Sequence, residues 1–180
     1  MPIEPETKSW TWVLERPCEA CGLDASRVDF RDIPDLVLAN ADQWADALDF
    51  GDPHLRPDDS TWSPLEYAAH VRDVFRRFAA RVDLMVTEDN PVFENWDQDA
   101  TAVTDRYNEQ DAATVLHEMH SDATVLAELF RSVPDDALGR SGRRGDGSVF
   151  TIETLGQYFI HDPVHHLFDV TGQRFPPSGP

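Results

Sequence analysis

Positive charge is scarce in this chain. Fifteen lysines and arginines stand against 34 aspartates and glutamates in 180 residues, a formal charge of −19. Such a surface repels phosphate backbones and anionic lipid, so no nucleic-acid partner is expected, with Arg140, Arg143 and Arg144 as the one local basic cluster to set against it. The excess acid reads as a solubility surface. Long apolar runs are also missing. No stretch approaches the roughly 20 residues of a membrane span, and the opening "MPIEPETKSW" lacks the basic and apolar segments of a secretory signal, so the expectation is a cytoplasmic protein with no membrane partner. Only two cysteines occur, Cys18 and Cys21, and in that compartment they stay reduced. Internal repeats, low-complexity segments and alternating strand patterns are absent, which leaves no βαβ rhythm to compete with helices.

What is present is 41% hydrophobic residues, enough in a chain of this length to close one core without disulfide or metal staples. Residues 1–31 hold Trp10, Trp12, several prolines and the cysteine pair without a helical period, and read as an arm or lid. From Asp32, Ile33, Val37, Ala41, Trp44 and Leu48 recur every three to four residues, which predicts a first amphipathic helix. A second begins at "STWSPLEY", where Ser63 suits the cap, Pro64 the first turn and Glu66 the far side of a capping box; its inward face holds Tyr67, Val71, Val74, Phe78, Val82 and Met85. A long loop from Thr87 to about Asn108 carries Phe93 and Trp96. The third helix spans about Glu109 to Ser132 with Val115, Met119, Ala123, Leu126 and Phe130 on one stripe. "RSGRRGDGSVF" reads as a glycine-rich turn, and the fourth helix runs from Thr151 to a cap at Gly172. The expected architecture is an all-α four-helix bundle over 32–174, an irregular arm over 1–31, and a disordered tail over 175–180.

Chemistry concentrates in "YFIHDPVHHLFDV". His161 and His165 are four apart and share a helix face, while His166 is turned about 100° from His165. Pro163 between them should kink or loosen the helix. His70 borders the inward face of the second helix. Taken singly, an inward histidine is a core residue and an i, i+4 pair is a common accident. Together, facing helices could present three imidazoles to one ion, leaving it fully charged with an open position that activates water or a thiol. Glu66, Asp73 and Asp169 are candidate supports for the imidazoles, or else solvated helix-face charges. His120 and His117 on the third helix are rivals, and His54 falls in a polar loop. The Cys18–Cys21 spacing suits a zinc knuckle or a redox pair, but a closed zinc site needs two further ligands that the sequence does not name; a pair of reduced structural thiols is the plainer reading.

The run "TWSPLEYAAHVRDV" followed by "FTIETLGQYFIHDPVHHLFDV" resembles the DinB-like superfamily, also called YfiT-like metal-dependent hydrolases, over about residues 32–174. The resemblance implies a four-helix bundle with a divalent metal, zinc or nickel, on His70, His161 and His165, and does not count His166 as a ligand. It also implies a small-molecule substrate and either hydrolysis or transfer of a low-molecular-weight thiol such as mycothiol or bacillithiol, with S-transfer preferred. A non-catalytic, stress-related binding or scaffold bundle is the alternative, and a homodimer through an apolar face stays open.

Overall fold

A computed structural model describes residues 10–175. The first nine residues of the expected arm, and 176–180 of the expected tail, lie outside the described residues. Phe175, the first tail residue, is held in place: its N–H donates to the Cys21 carbonyl at 2.7 Å.

Three of the four long helices begin at a residue whose side chain satisfies an otherwise unpartnered amide; the first does not. Helix α1 (Ile33–Asp49) buries the expected Ile33, Val37, Ala41, Trp44 and Leu48. Helix α2 (Pro64–Thr87) opens with the full capping box, in which Ser63 Oγ accepts from the Glu66 amide at 3.2 Å and the Glu66 carboxylate accepts from the Ser63 amide at 2.8 Å. Short helix α3 (Gln98–Thr104) sits inside the expected long loop, started by Asp97, which accepts from the Ala100 amide. Helix α4 (Ala112–Ser132) starts later than the periodicity suggested, because Asp111 caps it through the Thr114 amide. Helix α5 (Ile152–Thr171) is capped by Thr151 and stopped by Gly172, whose φ of 71° is the left-handed conformation a glycine adopts freely.

Helix α4 packs between α1 and α2 on one side of the bundle, and α5 packs between the same two on the other, so the consecutive helices α1 and α2 lie diagonally. Phe130 of α4 and Phe159 of α5 meet across the centre at 5.6 Å, with Phe75 and Phe78 of α2 on the Phe159 ring at 6.0 and 5.0 Å. The molecule is therefore the four-helix bundle that its periodicity predicts. No helix among the described residues is long and apolar enough to cross a membrane.

Two expectations change. Helix α5 runs through Pro163 without interruption. The Pro163 carbonyl accepts from Asn40 Nδ2 at 2.9 Å, and Asn40 in turn accepts from Trp44 Nε1 at 3.2 Å, so α1 braces the proline turn. The glycine-rich turn is also more ordered than it reads. Strands β1 (Val92–Phe93), β2 (Ser141–Arg144) and β3 (Val149–Thr151) form one sheet in that order, β1 parallel and β3 antiparallel to β2. Strands this short are too brief to show an alternating pattern. The sheet sets Arg144 beside α5, where its Nη1 donates to the Tyr158 hydroxyl at 3.1 Å.

The arm joins the core rather than lying loosely on it. Short 3-10 turns at Thr11–Leu14, Ala25–Arg27 and Phe30–Asp32 pack on α5 and bury Val13, Cys18, Cys21, Leu23, Ala25 and Phe30. Gly156 makes the close approach possible, since a Cβ there would stand 2.8 Å from Ile33 Cδ1 and 3.0 Å from Phe30 Cε2. Gly156→Ala gains about 1 kcal/mol of helix propensity and loses about 1–3 kcal/mol to overpacking. A net loss of up to about 2 kcal/mol is expected in urea denaturation. A stabilised variant would show that Phe30 and the arm yield easily.

Candidate metal centres

Helix α5 carries two i, i+4 pairs offset by one residue, His161 with His165 and Asp162 with His166. One residue is about 100° of helix rotation, so the two pairs look in different directions. Each meets groups from another part of the chain.

The first pair faces the arm. Ligand atoms of Cys18, Cys21, His161 and His165 all lie within 4.8 Å of one another, with Cys18 Sγ 3.6 Å from His165 Nδ1. Trp10 covers both imidazoles, its ring centroid 5.4 Å from that of His161 and 5.1 Å from that of His165. Burial, with His165 adding, pushes the His161 pKa down to about 4, so this imidazole is neutral at pH 7. Burial, with Cys18 adding, pushes the Cys21 thiol up to about 12.

The second pair faces α2. His70, Asp162 and His166 form a group of the same kind, with Asp162 Oδ1 at 3.3 Å from His70 Nε2 and 3.7 Å from His166 Nε2. Neither His70 nitrogen makes a hydrogen bond, and Asp162 Oδ1 makes none either, although His70 has no solvent exposure. A buried polar atom left this way costs about 1–3 kcal/mol unless something else satisfies it, and a divalent cation would do so for one His70 nitrogen and for Asp162 Oδ1. Burial lowers the His70 pKa and keeps the ring neutral, the form that binds metal. Burial opposes the charge of Asp162, but the His70, His166 and His161 imidazoles around it outweigh this and bring its pKa down to about 2. Trp96 stacks on His70 with centroids 5.1 Å apart and planes 8° from parallel, and Trp62 approaches at 5.3 Å. Asp169 accepts from His166 Nδ1 at 3.0 Å, the support a ligating imidazole ordinarily has.

The implied ligand set is thus divided: His161 and His165 lie with the cysteines, and His70 lies with Asp162 and His166. Asp162 went unread in the sequence, although its i, i+4 relation to His166 was visible there. Of the three candidate acids, Asp169 supports His166, and Glu66 and Asp73 support none of these imidazoles. Asp73 accepts from Tyr107 Oη at 2.6 Å and from Arg72 Nε at 2.9 Å. Glu66 is taken up by its capping box and by a two-point ion pair with Arg56, Nε to Oε2 at 2.7 Å. His120 stands 3.5 Å from Asp42, and His117 and His54 are exposed, so none of these three joins either group.

The Arg56 pair makes a pH prediction. Burial would raise the Glu66 pKa, but Arg56 and the Ser63 amide together bring it below the ordinary value. A depressed carboxylate pKa contributes stability that is present above the unfolded value, about 4.3, and is lost as pH falls through the folded value. Arg56→Ala should therefore cost about 1–3 kcal/mol near neutral pH, and the gap from wild type should close in acid. A gap independent of pH in urea melts would refute the pairing.

Two cavities bear on function; another, of about 360 Å³ between α1 and the end of α5, contains none of the histidines or cysteines. A small one of about 80 Å³ touches Trp10, His161, Asp162, His165 and His166. A polar one of about 240 Å³ is lined by Asp162, Tyr158, Trp96, Arg81 and Arg144 among others. Arg81 has no carboxylate within 4.0 Å among the described residues; its guanidinium lies over Phe78 and Phe93 and donates to the Glu94 carbonyl, and burial lowers its pKa to about 10. It remains charged at pH 7.

Comparison with known proteins agrees with the bundle. The family model of the DinB superfamily matches residues 35–168. The chain belongs to the DinB superfamily. Among solved structures, this DinB-superfamily chain is similar to YfiT from Bacillus subtilis, described as a probable metal-dependent hydrolase with an unusual four-helix bundle topology. The two share 20% identity with a TM-score of 0.69, over 87% of this chain and 90% of YfiT. No curated protein matches the sequence significantly.

Proposed function

We propose that this DinB-superfamily chain is a metal-dependent enzyme acting on a small molecule that carries an anionic group, with its reaction centre at His70, Asp162 and His166. The observation that supports this is the group of close ligand atoms, those of His70 and Asp162 buried and without hydrogen-bond partners, beside a polar cavity lined by Asp162, Arg81 and Arg144. Two imidazoles and one carboxylate leave positions open, as catalytic sites require and closed structural sites do not. A zinc or nickel ion held there supplies Lewis acidity and lowers the pKa of water or a thiol.

The chain's own residues do the rest. Trp62 and Trp96 enclose His70 and keep water from its ring. Asp169 fixes the orientation of His166. Arg81 offers an unpaired charge to a carboxylate, sulfonate or phosphate on the substrate. Tyr158 accepts from Arg144 and stays protonated, because burial raises its pKa, so its own O–H is free to donate into the cavity. The family resemblance favours S-transfer from a low-molecular-weight thiol over hydrolysis. YfiT's description favours hydrolysis.

Both are tested by one screen of metal-loaded protein, with ester substrates on one side and mycothiol, bacillithiol or glutathione plus electrophiles on the other, each in carboxylate and uncharged forms. Turnover should prefer the carboxylate form, and Arg81→Ala should raise KM about 10–100-fold with kcat little changed, the loss of one charge-assisted hydrogen bond. Absence of turnover across the screen, with metal bound, would return the chain to the non-catalytic scaffold reading.

A further inference from the structure

The reaction centre proposed above leaves Cys18, Cys21, His161 and His165 without a task. We propose that these four side chains bind one zinc ion in a closed, structural site that fastens the N-terminal arm to helix α5.

The donor set is the first ground. Two cysteines and two histidines are a complete tetrahedral zinc set, and their ligand atoms already lie within 4.8 Å of one another. With Zn–S near 2.3 Å and Zn–N near 2.05 Å, a tetrahedral S–N edge is about 3.6 Å. The Cys18 Sγ to His165 Nδ1 distance is 3.6 Å. Both thiols are free rather than joined in a disulfide.

The second ground is an unpaid polar atom. His161 is 4% exposed, and its Nε2 is buried without a hydrogen-bond partner. An apolar core with no ion to bind would have no use for a neutral imidazole there. Two thiolates cancel the charge of one divalent ion, and two neutral imidazoles add none, so the filled site is uncharged and suited to its burial. Soft thiolates select zinc over magnesium, calcium or manganese.

The backbone holds the cysteines in the required turn. The Cys18 N–H donates to the Leu23 carbonyl at 2.9 Å, and the Gly22 N–H returns to the Cys18 carbonyl at 2.8 Å. Gly22 has φ 84°, and a Cβ on it would stand 2.6 Å from the Phe175 carbonyl oxygen. The chain leaving α5 is tied to the same turn through Phe175 to Cys21 and Arg174 to the Glu19 carbonyl at 3.0 Å. One ion would therefore join two segments distant in sequence, the arm and α5, and it would hold Trp10 over the histidines.

X-ray absorption at the zinc edge, measured on the full zinc-loaded chain carrying His70→Ala to weaken the other centre, reads the ligands directly. One zinc per chain with two sulfurs at about 2.3 Å and two nitrogens at about 2.0 Å is expected. Zinc surrounded by nitrogen and oxygen alone would overturn the site. Should that variant fail to fold, cobalt-loaded wild type gives the same answer, since a thiolate-to-cobalt charge-transfer band is expected and should vanish in Cys18→Ser and Cys21→Ser. A cobalt spectrum without that band, or thiols that react equally fast with Ellman's reagent before and after zinc loading, would likewise refute it. Unchanged catalysis in His70→Ala with the sulfur-ligated ion intact would count against the reaction centre only.

Discussion

His70→Ala should lower turnover by about 10²–10⁴-fold while the sulfur-ligated zinc stays bound. A catalytic ion supplies several kcal/mol of charge stabilisation, and each 1.4 kcal/mol or so is a factor of ten. His70 belongs to the second turn of α2, has no solvent exposure, and is held by Trp96 and Trp62 on its faces, so its nitrogens cannot be replaced by a neighbour swinging in. The fold should survive. The side chain removed had two unsatisfied nitrogens, and their loss offsets part of the cost of the space left behind. Metal content measured alongside turnover separates the possible ligand sets. With two centres, His70→Ala loses one ion and Cys18→Ser loses a different one. With a single centre on His70, His161 and His165, alanine at any of the three loses the same ion and Cys18→Ser loses none. That second pattern would sink both centres as assigned here.

The bundle was legible because helix signals are local. Ser63 with Glu66, Thr151, and Gly172 are each read from a few neighbouring residues, and each stands at the helix end it marked. The stripes on α1 and α4 are buried at every expected position, because a period of 3.6 states which side faces in. The site was legible only in part. That His70 points inward, and that His161 and His165 share a face, followed from the same period. Which cluster each joins depends on where the arm returns, and the contacts that fix it, such as Phe175 to Cys21, cross more than a hundred residues without any periodic trace. The missing zinc ligands for the Cys-x-x-Cys pair were therefore in view as residues and invisible as neighbours. His166 was set aside through the family resemblance, and its spacing from Asp162 is the signal by which the sequence could have grouped the two.

Phe159→Ala should be the most destabilising single change in the core, at about 3–5 kcal/mol. The ring is fully buried and touches Phe75 and Phe78 of α2 and Phe130 of α4, so truncation opens a cavity where three of the four long helices meet. None of these partners can fill it without leaving its own contact. Against a total of about 5–15 kcal/mol for a domain, the loss should move the urea midpoint far more than Gly156→Ala does. Zinc gives the test a second axis. An ion that binds only the folded chain adds about 2.7 kcal/mol at a free concentration 100 times its Kd. Phe159 precedes His161 by two residues on the same helix, but its ring contacts are with α2 and α4, so zinc should raise the variant and the wild type by similar amounts and leave their difference unchanged. A loss below about 1 kcal/mol would mean that the aromatic cluster repacks. A loss abolished by zinc would mean that the ion, rather than the Phe159 contacts, orders this part of α5.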